Sequence, residues 1–343
     1  MDVNQHYRFL IPDRSYASLT KKDITRLAES FALSEAAVGK VNIIVSEMLS
    51  NLEKHSTNGG ELLVKAIGKP IRGIEIISLD NGPGMSDPDR MMEDGVSTYG
   101  SAGEGLGAIK RQADVFDLYS QPQVGTVIVA QVYKSSSAAS PKRRYEVGSI
   151  MVPKPKEVDC GDGYAVIHHE RGVYLLALDG LGHGTSAQEA SQLAVKTYCE
   201  TPIADPALAL RTIHNSIRRT RGAVGFAASI DIVQNKFSYC GIGNIAGKLF
   251  STESSLGNMP YKNVISYNGI LGHNIPGNFN NQTLDWNRNK VLIVHSDGLK
   301  SRWDLSRYPT LHRHMATTIA AVLYKDHSRH TDDTLVLVCK AKV

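Results

Sequence analysis

Cysteine is scarce and scattered. Cys160, Cys199, Cys240 and Cys339 lie far apart, with no C-x-x-C pair among them. That spacing argues against a disulfide framework and against a thiolate metal site, and it points to a reducing compartment. Long apolar runs are missing as well: nothing approaches the roughly 20 apolar residues that a membrane span needs. The N-terminal stretch MDVNQHYRFLIPDRSY carries no apolar h-region of a secretory leader. The expectation is a cytoplasmic protein with no membrane partner. A strong excess of one charge is also lacking. A formal net charge of +4 over 343 residues, with no aromatics interleaved among basic clusters, speaks against nucleic acid as a partner. What is present is 42% hydrophobic and 21% charged residues, the profile of a globular chain that buries real cores. Its length suits two domains.

The division falls at KSSSAASPKRR, Lys134 to Arg144, which is small, polar and basic and has no apolar periodicity. It predicts a first domain over 1–134, a linker over 135–144 and a second domain over 145–343. The two halves do not repeat each other. In the first, SEAAVGKVNIIVSEMLSNLEKHS places Val38, Val41, Ile44, Val45, Met48, Leu49 and Leu52 at helical spacing behind a Ser34 N-cap. Strands ELLVKAIG, GIEIISLD, VFDLYSQ and GTVIVAQVY and a helix AIKRQAD complete a two-layer pattern of helix on antiparallel sheet. The second half reads as seven short strands, GYAVIHHE, GVYLLALD, GFAASIDIVQ, KFSYCGIG, AGKLFS, KVLIVHSD and DTLVLVCKA. Helical stretches TSAQEASQLAVKTYCE and DPALALRTIHNSIRRTR interrupt them. The fold class is α+β, with the second half a sandwich of sheets with helices outside.

Glu47, Asn51 and His55 follow each other at steps of four on the long helix, drifting by only about 40° per step. Taken alone, these residues read first as a solvated helix face. The following elements add LDNGPGM, with Asp80 ending an apolar strand before Gly82 and Gly84. They also add YGSAGEGLGAIK, with Gly100, Gly103, Gly105, Leu106 and Gly107 at the start of a helix. Glycines let backbone N–H groups approach phosphate oxygens, and a helix N-terminus adds positive charge. Three motifs in this order resemble the GHKL (Bergerat-fold) ATPases, and among them the small serine kinases that act on anti-sigma-factor antagonists. The resemblance implies an α/β two-layer domain that binds ATP with Mg²⁺. It implies that Asn51 ligates the Mg²⁺ and that Asp80 accepts from the adenine amino group, with Gly82 and Gly84 allowing close approach. Gly103, Gly105, Leu106 and Gly107 would wrap the phosphates, Thr126 would lie at the floor, and Glu47 would act as general base. For His55, a nucleotide contact and simple packing beside the helix stand side by side.

In the second half, aspartates recur at strand edges beside glycine: Asp162 in GDGY, Asp179 in DGLGHG, Asp297 in SDG, and Asp332 and Asp333 before the last strand. A single turn aspartate is ordinary. Several converging carboxylates are costly without cations, and hard oxygen ligands with no Cys or His cluster suit Mg²⁺ or Mn²⁺. The series resembles the metal-dependent PPM-type (type 2C) serine/threonine phosphatases of the sporulation stage II E-like branch, which implies an α-β-β-α sandwich. By that likeness Asp162 and Asp179 bridge two metals, the Gly180 carbonyl is also a ligand, and Asp297 and one of Asp332 and Asp333 complete the second metal. A metal-bridging water would then attack the phosphorus in line. GIGNI, with Asn244, resembles a structural segment near that site. The turn Asp332-Asp333-Thr334 is one residue shorter than the family pattern, so either aspartate fits, with Asp332 favoured. His183 reads as a proton donor or as a turn histidine. Together the halves imply a regulator that phosphorylates and dephosphorylates a STAS-type antagonist protein. The alternative is a phosphatase gated by a nucleotide- or partner-binding domain without kinase activity.

Overall fold

The computed structural model describes residues 4–57, 59–92, 105–135, 143–253 and 259–342. It forms two compact units, Met1–Pro141 with Tyr308–Lys325, and Lys142–Arg307 with Asp326–Val343.

The first unit runs β1 (Tyr7–Ile11), α1 (Ala17–Ser30), α2 (Glu35–His55), β2 (Gly60–Ile67), β3 (Gly73–Asp80), α3 (Pro88–Met91), α4 (Gly105–Gln112), β4 (Val115–Gln121) and β5 (Gly125–Tyr133). Its sheet has the order β1-β2-β3-β5-β4 and is antiparallel throughout. Ser34 caps α2, its hydroxyl accepting from the Ala37 N–H at 3.3 Å. Val41, Ile44, Val45, Met48 and Leu52 then pack on Leu62, Val64, Ile76, Ile128 and Ala130 of the sheet. Each such side chain stabilises the layer by about 1.5–3 kcal/mol. Glu47, Asn51 and His55 lie at the margin of that stripe, half-buried. Periodicity therefore sets the helix against the sheet and leaves a polar edge facing the β3 and α4 termini.

The remaining helix of this unit comes from the far end of the chain. Helix α7 (Ala316–His327) buries every residue from Ala316 to Tyr324, and its first ten residues belong to the first unit. Asp117 of β4 accepts from Met315 N at 2.8 Å, from the Thr318 hydroxyl at 2.6 Å and from His314 Nδ1 at 2.9 Å. Lys325 Nζ donates to Asn81 Oδ1 at 3.0 Å and to the Val124 carbonyl at 2.8 Å. Asp117 alternates with Leu118, which faces α2, so α7 lies on the opposite face of the sheet. The unit thus has a third layer where the sequence predicts two, and residues 308–325 pack here although 145–343 reads as one stretch.

The second unit runs β6 (Tyr145–Val152), β7 (Asp162–His169), β8 (Gly172–Gly180), α5 (Thr185–Glu200), α6 (Pro206–Ser216), β9 (Ala223–Asp231), β10 (Lys236–Ile242), β11 (Ala246–Ser251), β12 (Tyr261–Asn263), β13 (Gln282–Asp285), β14 (Lys290–His295) and β15 (Thr334–Ala341). Two five-stranded sheets form, β13-β10-β9-β8-β7 and β12-β11-β14-β15-β6. Alternation along each strand divides the residues cleanly. Leu175, Ala177, Phe226, Ala228 and Phe237 face Leu292, Val294, Leu335 and Leu337 of the other sheet. Leu176, Leu178, Ala227 and Cys240 face outward onto Ala194, Tyr198, Leu210 and Ile213 of α5 and α6. The architecture is α+β, as the patterning implies. Among the described residues no helix is long and apolar enough to cross a membrane.

Candidate functional site

Two polar sites emerge, one in each unit. In the first, α2 brings Glu47 and Asn51 against the start of α4. A Cβ on Gly105 would stand 2.9 Å from Glu47 Oε2 and 3.7 Å from Asn51 Oδ1, so only the missing side chain lets the loop approach. Asn51 Nδ2 is buried with no hydrogen-bond partner among the described residues, an unmet donor whose amide can still serve a bound group. Asp80 ends β3 with Oδ1 accepting from Gly82 N at 2.8 Å. Burial pushes its carboxyl upward, against the pull of that N–H and of Lys325. Gly82 lies against the His55 carbonyl, 2.1 Å from where a Cβ would be, and Gly84 likewise against Gln121 O at 2.0 Å. Thr126 pairs with Asp80 across β3 and β5, and its hydroxyl lies 2.9 Å from Ser120 Oγ. His55 is half-buried, and desolvation lowers its pKa while Asp80 partly offsets this. Leu106 and Gly107 open α4 beside Gly105. Gly103 lies outside the described residues. The site therefore combines a carboxylate, an unpaired amide and backbone exposed at a helix start, a set suited to Mg²⁺ and phosphate oxygens.

In the second unit, antiparallel pairing sets Asp162 of β7 directly opposite Asp179 of β8. Directly opposed residues have Cβ atoms about 4.5–5.5 Å apart. Asp162 is 1% exposed. Its Oδ2 accepts from the Ser296 hydroxyl at 2.7 Å, and its Oδ1 has no hydrogen-bond partner among the described residues. Burial first and the Asp179 charge second push its pKa well above the carboxylate range. Asp179 is pushed up to about 8, by burial and then by Asp297, Asp332 and Asp333. Gly298 lets the Asp297 loop close on the last turn: a Cβ there would lie 1.9 Å from Asp333 O. Gly180 follows Asp179 with its N–H donating to Gly161 O at 3.1 Å.

The outer carboxylates each hold a donor of their own. Asp297 Oδ2 accepts from Asn244 Nδ2 at 3.0 Å. Asp332 Oδ1 accepts from Asp333 N at 3.0 Å. Asp333 spends both oxygens on backbone, Oδ1 on Lys154 N at 2.7 Å and Oδ2 on Gly161 N at 2.8 Å. Among the described residues no three His, Cys, Asp or Glu side chains stand close enough to share one ion. Asp162, Asp297, Asp332 and Asp333 each take an N–H or O–H donor, which offsets part of the like-charge repulsion. The donor set nonetheless fits a divalent cation: it is all oxygen, strongly negative and partly unmet at Asp162 Oδ1.

Two contributors are not evident in the sequence motifs. Ser296 ties three strands together, donating to Asp162 and accepting from Leu335 N at 2.9 Å. Its place just before Asp297 in HSDG was the available signal. Glu157 Oε1 lies 2.9 Å from His183 Nδ1, which gives that histidine a defined orientation that the turn motif does not reveal.

No family model matches the chain. Over 104 residues it is 32% identical to the serine/threonine-protein kinase RsbT of Bacillus subtilis, covering 30% of this chain and 78% of RsbT. The chain belongs to the RsbT family. Over 141 residues it is also 28% identical to the phosphoserine phosphatase RsbX of the same organism, covering 41% of this chain and 67% of RsbX. A solved chain from work on the bacterial stressosome, described as a modular system adapted to control secondary messenger signalling, matches with a TM-score of 0.53. It is 25% identical and covers 58% of this chain and all of its own. RsbX in complex with magnesium shares the fold, with a TM-score of 0.52 at 20% identity, over 59% of this chain and 98% of that one. This chain thus joins a kinase-like domain to a PPM-type phosphatase domain. The RsbX likeness supports phosphatase activity; kinase activity rests on the RsbT likeness alone.

Proposed function

We propose that the chain is a bifunctional partner-switching regulator. Its first domain transfers phosphate from Mg·ATP to a serine or threonine of a cytoplasmic STAS-type antagonist protein, and its second removes that phosphate with two Mn²⁺ or Mg²⁺ ions. The observation that carries the reading is the Asp162–Asp179 pair, opposed across β7 and β8, with Asp162 buried and Asp179 half-buried. Two carboxylates in that position are tolerable only with protons or cations between them. In this reading Asp162, Asp179, the Gly180 carbonyl, Asp297 and Asp332 hold the cations. The commitment of both Asp333 oxygens to backbone N–H groups supports Asp332 as the ligand of that turn. The cations, when bound, supply the charge that makes water acidic enough to attack a phosphomonoester. Ser296 holds the buried Asp162 in one orientation, and Asp297 is the exposed carboxylate of the set.

In the first domain, Glu47 takes the proton of the attacking hydroxyl and Asn51 holds the Mg²⁺ of ATP. Asp80 receives the adenine amino group, and the backbone at Gly103 to Gly107 receives the phosphates. The pairing of a kinase relative with a phosphoserine phosphatase relative supports opposing activities in one chain. To test the reading, the full chain is incubated with radiolabelled Mg·ATP and a STAS-domain protein, then freed of ATP and given Mn²⁺. Label should enter the STAS protein and then leave it; absence of both transfer and release sinks the proposal. Glu47→Ala should keep nucleotide binding and lose transfer.

A further inference from the structure

The turn between α6 and β9, SIRRTRG, ends in a cation fixed beside the carboxylate site. Thr220 N and the Thr220 hydroxyl both donate to Ile217 O, at 3.0 and 2.7 Å, and Gly222 N donates to the Thr220 hydroxyl at 3.1 Å. Gly222 is left-handed, with φ +80, and a Cβ on it would lie 2.5 Å from Leu271 O. The turn is joined directly to the loop that follows Asp179: Leu181 N donates to Gly222 O at 3.1 Å. From the other side His273 Nε2 donates to Arg221 O at 2.8 Å. The backbone of Arg221 is therefore held by both neighbouring segments, while its side chain is exposed.

The guanidinium lies over Gly182 of the D-G-L-G-H-G loop. A Cβ on Gly182 would be 2.9 Å from Arg221 Nη1, so any larger residue there would displace it. Among the described residues the guanidinium has no hydrogen-bonding or ion-pair partner, and no carboxylate of the cluster pairs with it. A cation placed to neutralise the aspartates would bond to one of them. This one instead stands exposed against Gly182, three residues after Asp179. A dianionic phosphoryl group is repelled by the carboxylates, and a rigid guanidinium fork matches two of its oxygens.

We propose that Arg221 is the phosphate-recognising residue of the phosphatase site. It donates two N–H groups to non-bridging oxygens of a phosphoserine or phosphothreonine side chain. The assignment rests on the phosphatase reading and adds to it a specificity for phosphomonoesters on protein substrates.

The test uses the full chain loaded with Mn²⁺, a phosphoserine peptide as substrate and orthophosphate as a turnover-independent probe. Arg221→Ala should raise KM by about 10–100-fold with a smaller change in kcat, and should weaken orthophosphate binding by a similar factor. Mn²⁺ affinity and the melting temperature should stay at wild-type values. Arg221→Lys, which keeps the charge and loses the fork, should fall between. KM and orthophosphate affinity within about two-fold of wild type in Arg221→Ala overturn the assignment. Should that variant unfold, the lysine variant decides: weaker orthophosphate binding supports the fork, and unchanged binding overturns it. A wild-type chain that hydrolyses no phosphopeptide counts against the phosphatase reading. The orthophosphate titration then judges Arg221 by itself, weaker binding in the variant supporting it and equal binding overturning it.

Discussion

At Asp179 burial and neighbouring carboxylates favour the protonated form. Its carboxyl, pushed up to about 8 by burial and by Asp297, Asp332 and Asp333, is largely protonated at neutral pH, whereas an ordinary aspartate is not. Because the folded pKa lies above the unfolded one, the metal-free native state binds the extra proton between about pH 4 and 8. Its stability therefore falls as pH rises through that window. In the proposed cation site, cation and proton would compete for the same oxygens. Mn²⁺ binding at pH 7 should release protons from the Asp162–Asp179 pair, both of whose carboxyls are raised, and the affinity should climb with pH. Calorimetry in buffers of different ionisation enthalpy reads the proton count directly. Asp179→Asn should lower the proton count relative to wild type, and an unchanged count assigns the protons elsewhere. Asp179 is legible as a candidate because strand, aspartate and glycine are adjacent in the sequence. Ser296, which orients Asp162 across 134 positions, is not. Its contact depends on the register of two sheets, and nothing local in HSDG encodes that register.

At the scale of elements, α2 and α7 are opposites. Helix α2 was readable because one stripe is apolar and one edge polar, so its period stands out. Helix α7 was missed because Ala316 to Tyr324 are all buried and a helix apolar all round has no stripe to detect. The strands of both units were readable for the converse reason, since alternation marks a sheet with two different faces. What the sequence does not reveal about α7 is its anchor, because Asp117 lies on a strand nearly 200 residues away. Asp117 accepts the Met315 N–H, the Thr318 hydroxyl and His314, satisfying donors at the start of α7 as an N-cap does. Those bonds hold its carboxyl below the usual range despite burial. Asp117→Ala should cost about 1–3 kcal/mol, the range for leaving buried donors without an acceptor. Hydrogen exchange should localise the loss to residues 314–325. Uniform loss across the first unit, with that segment still protected, would show that Asp117 serves the sheet and not the helix.

At the scale of the whole molecule, the covalent boundary and the folding boundary do not coincide. The polar stretch from Lys134 to Arg144 separates two motif sets, yet the first compact unit also takes in Tyr308–Lys325. The sheet face carrying Leu63, Ile77, Val127 and Val129, all fully buried, alternates with the residues facing α2, and so lies on the side where α7 packs. A polypeptide of residues 1–135 would present those side chains to water, an apolar face on an open sheet and a ready site for association. It should self-associate in size-exclusion chromatography and melt below the corresponding transition of the full chain. Appending residues 308–325 through a flexible linker should restore a monomer, because what is missing is a layer and not a sequence neighbour. A monomeric 1–135 melting with the full chain's first transition would mean that α7 is dispensable to this unit. If the linked segment rescues the fragment, a segment from beyond the linker is part of the kinase-like unit's own core, and the two units cannot be divided by cutting the chain at its linker.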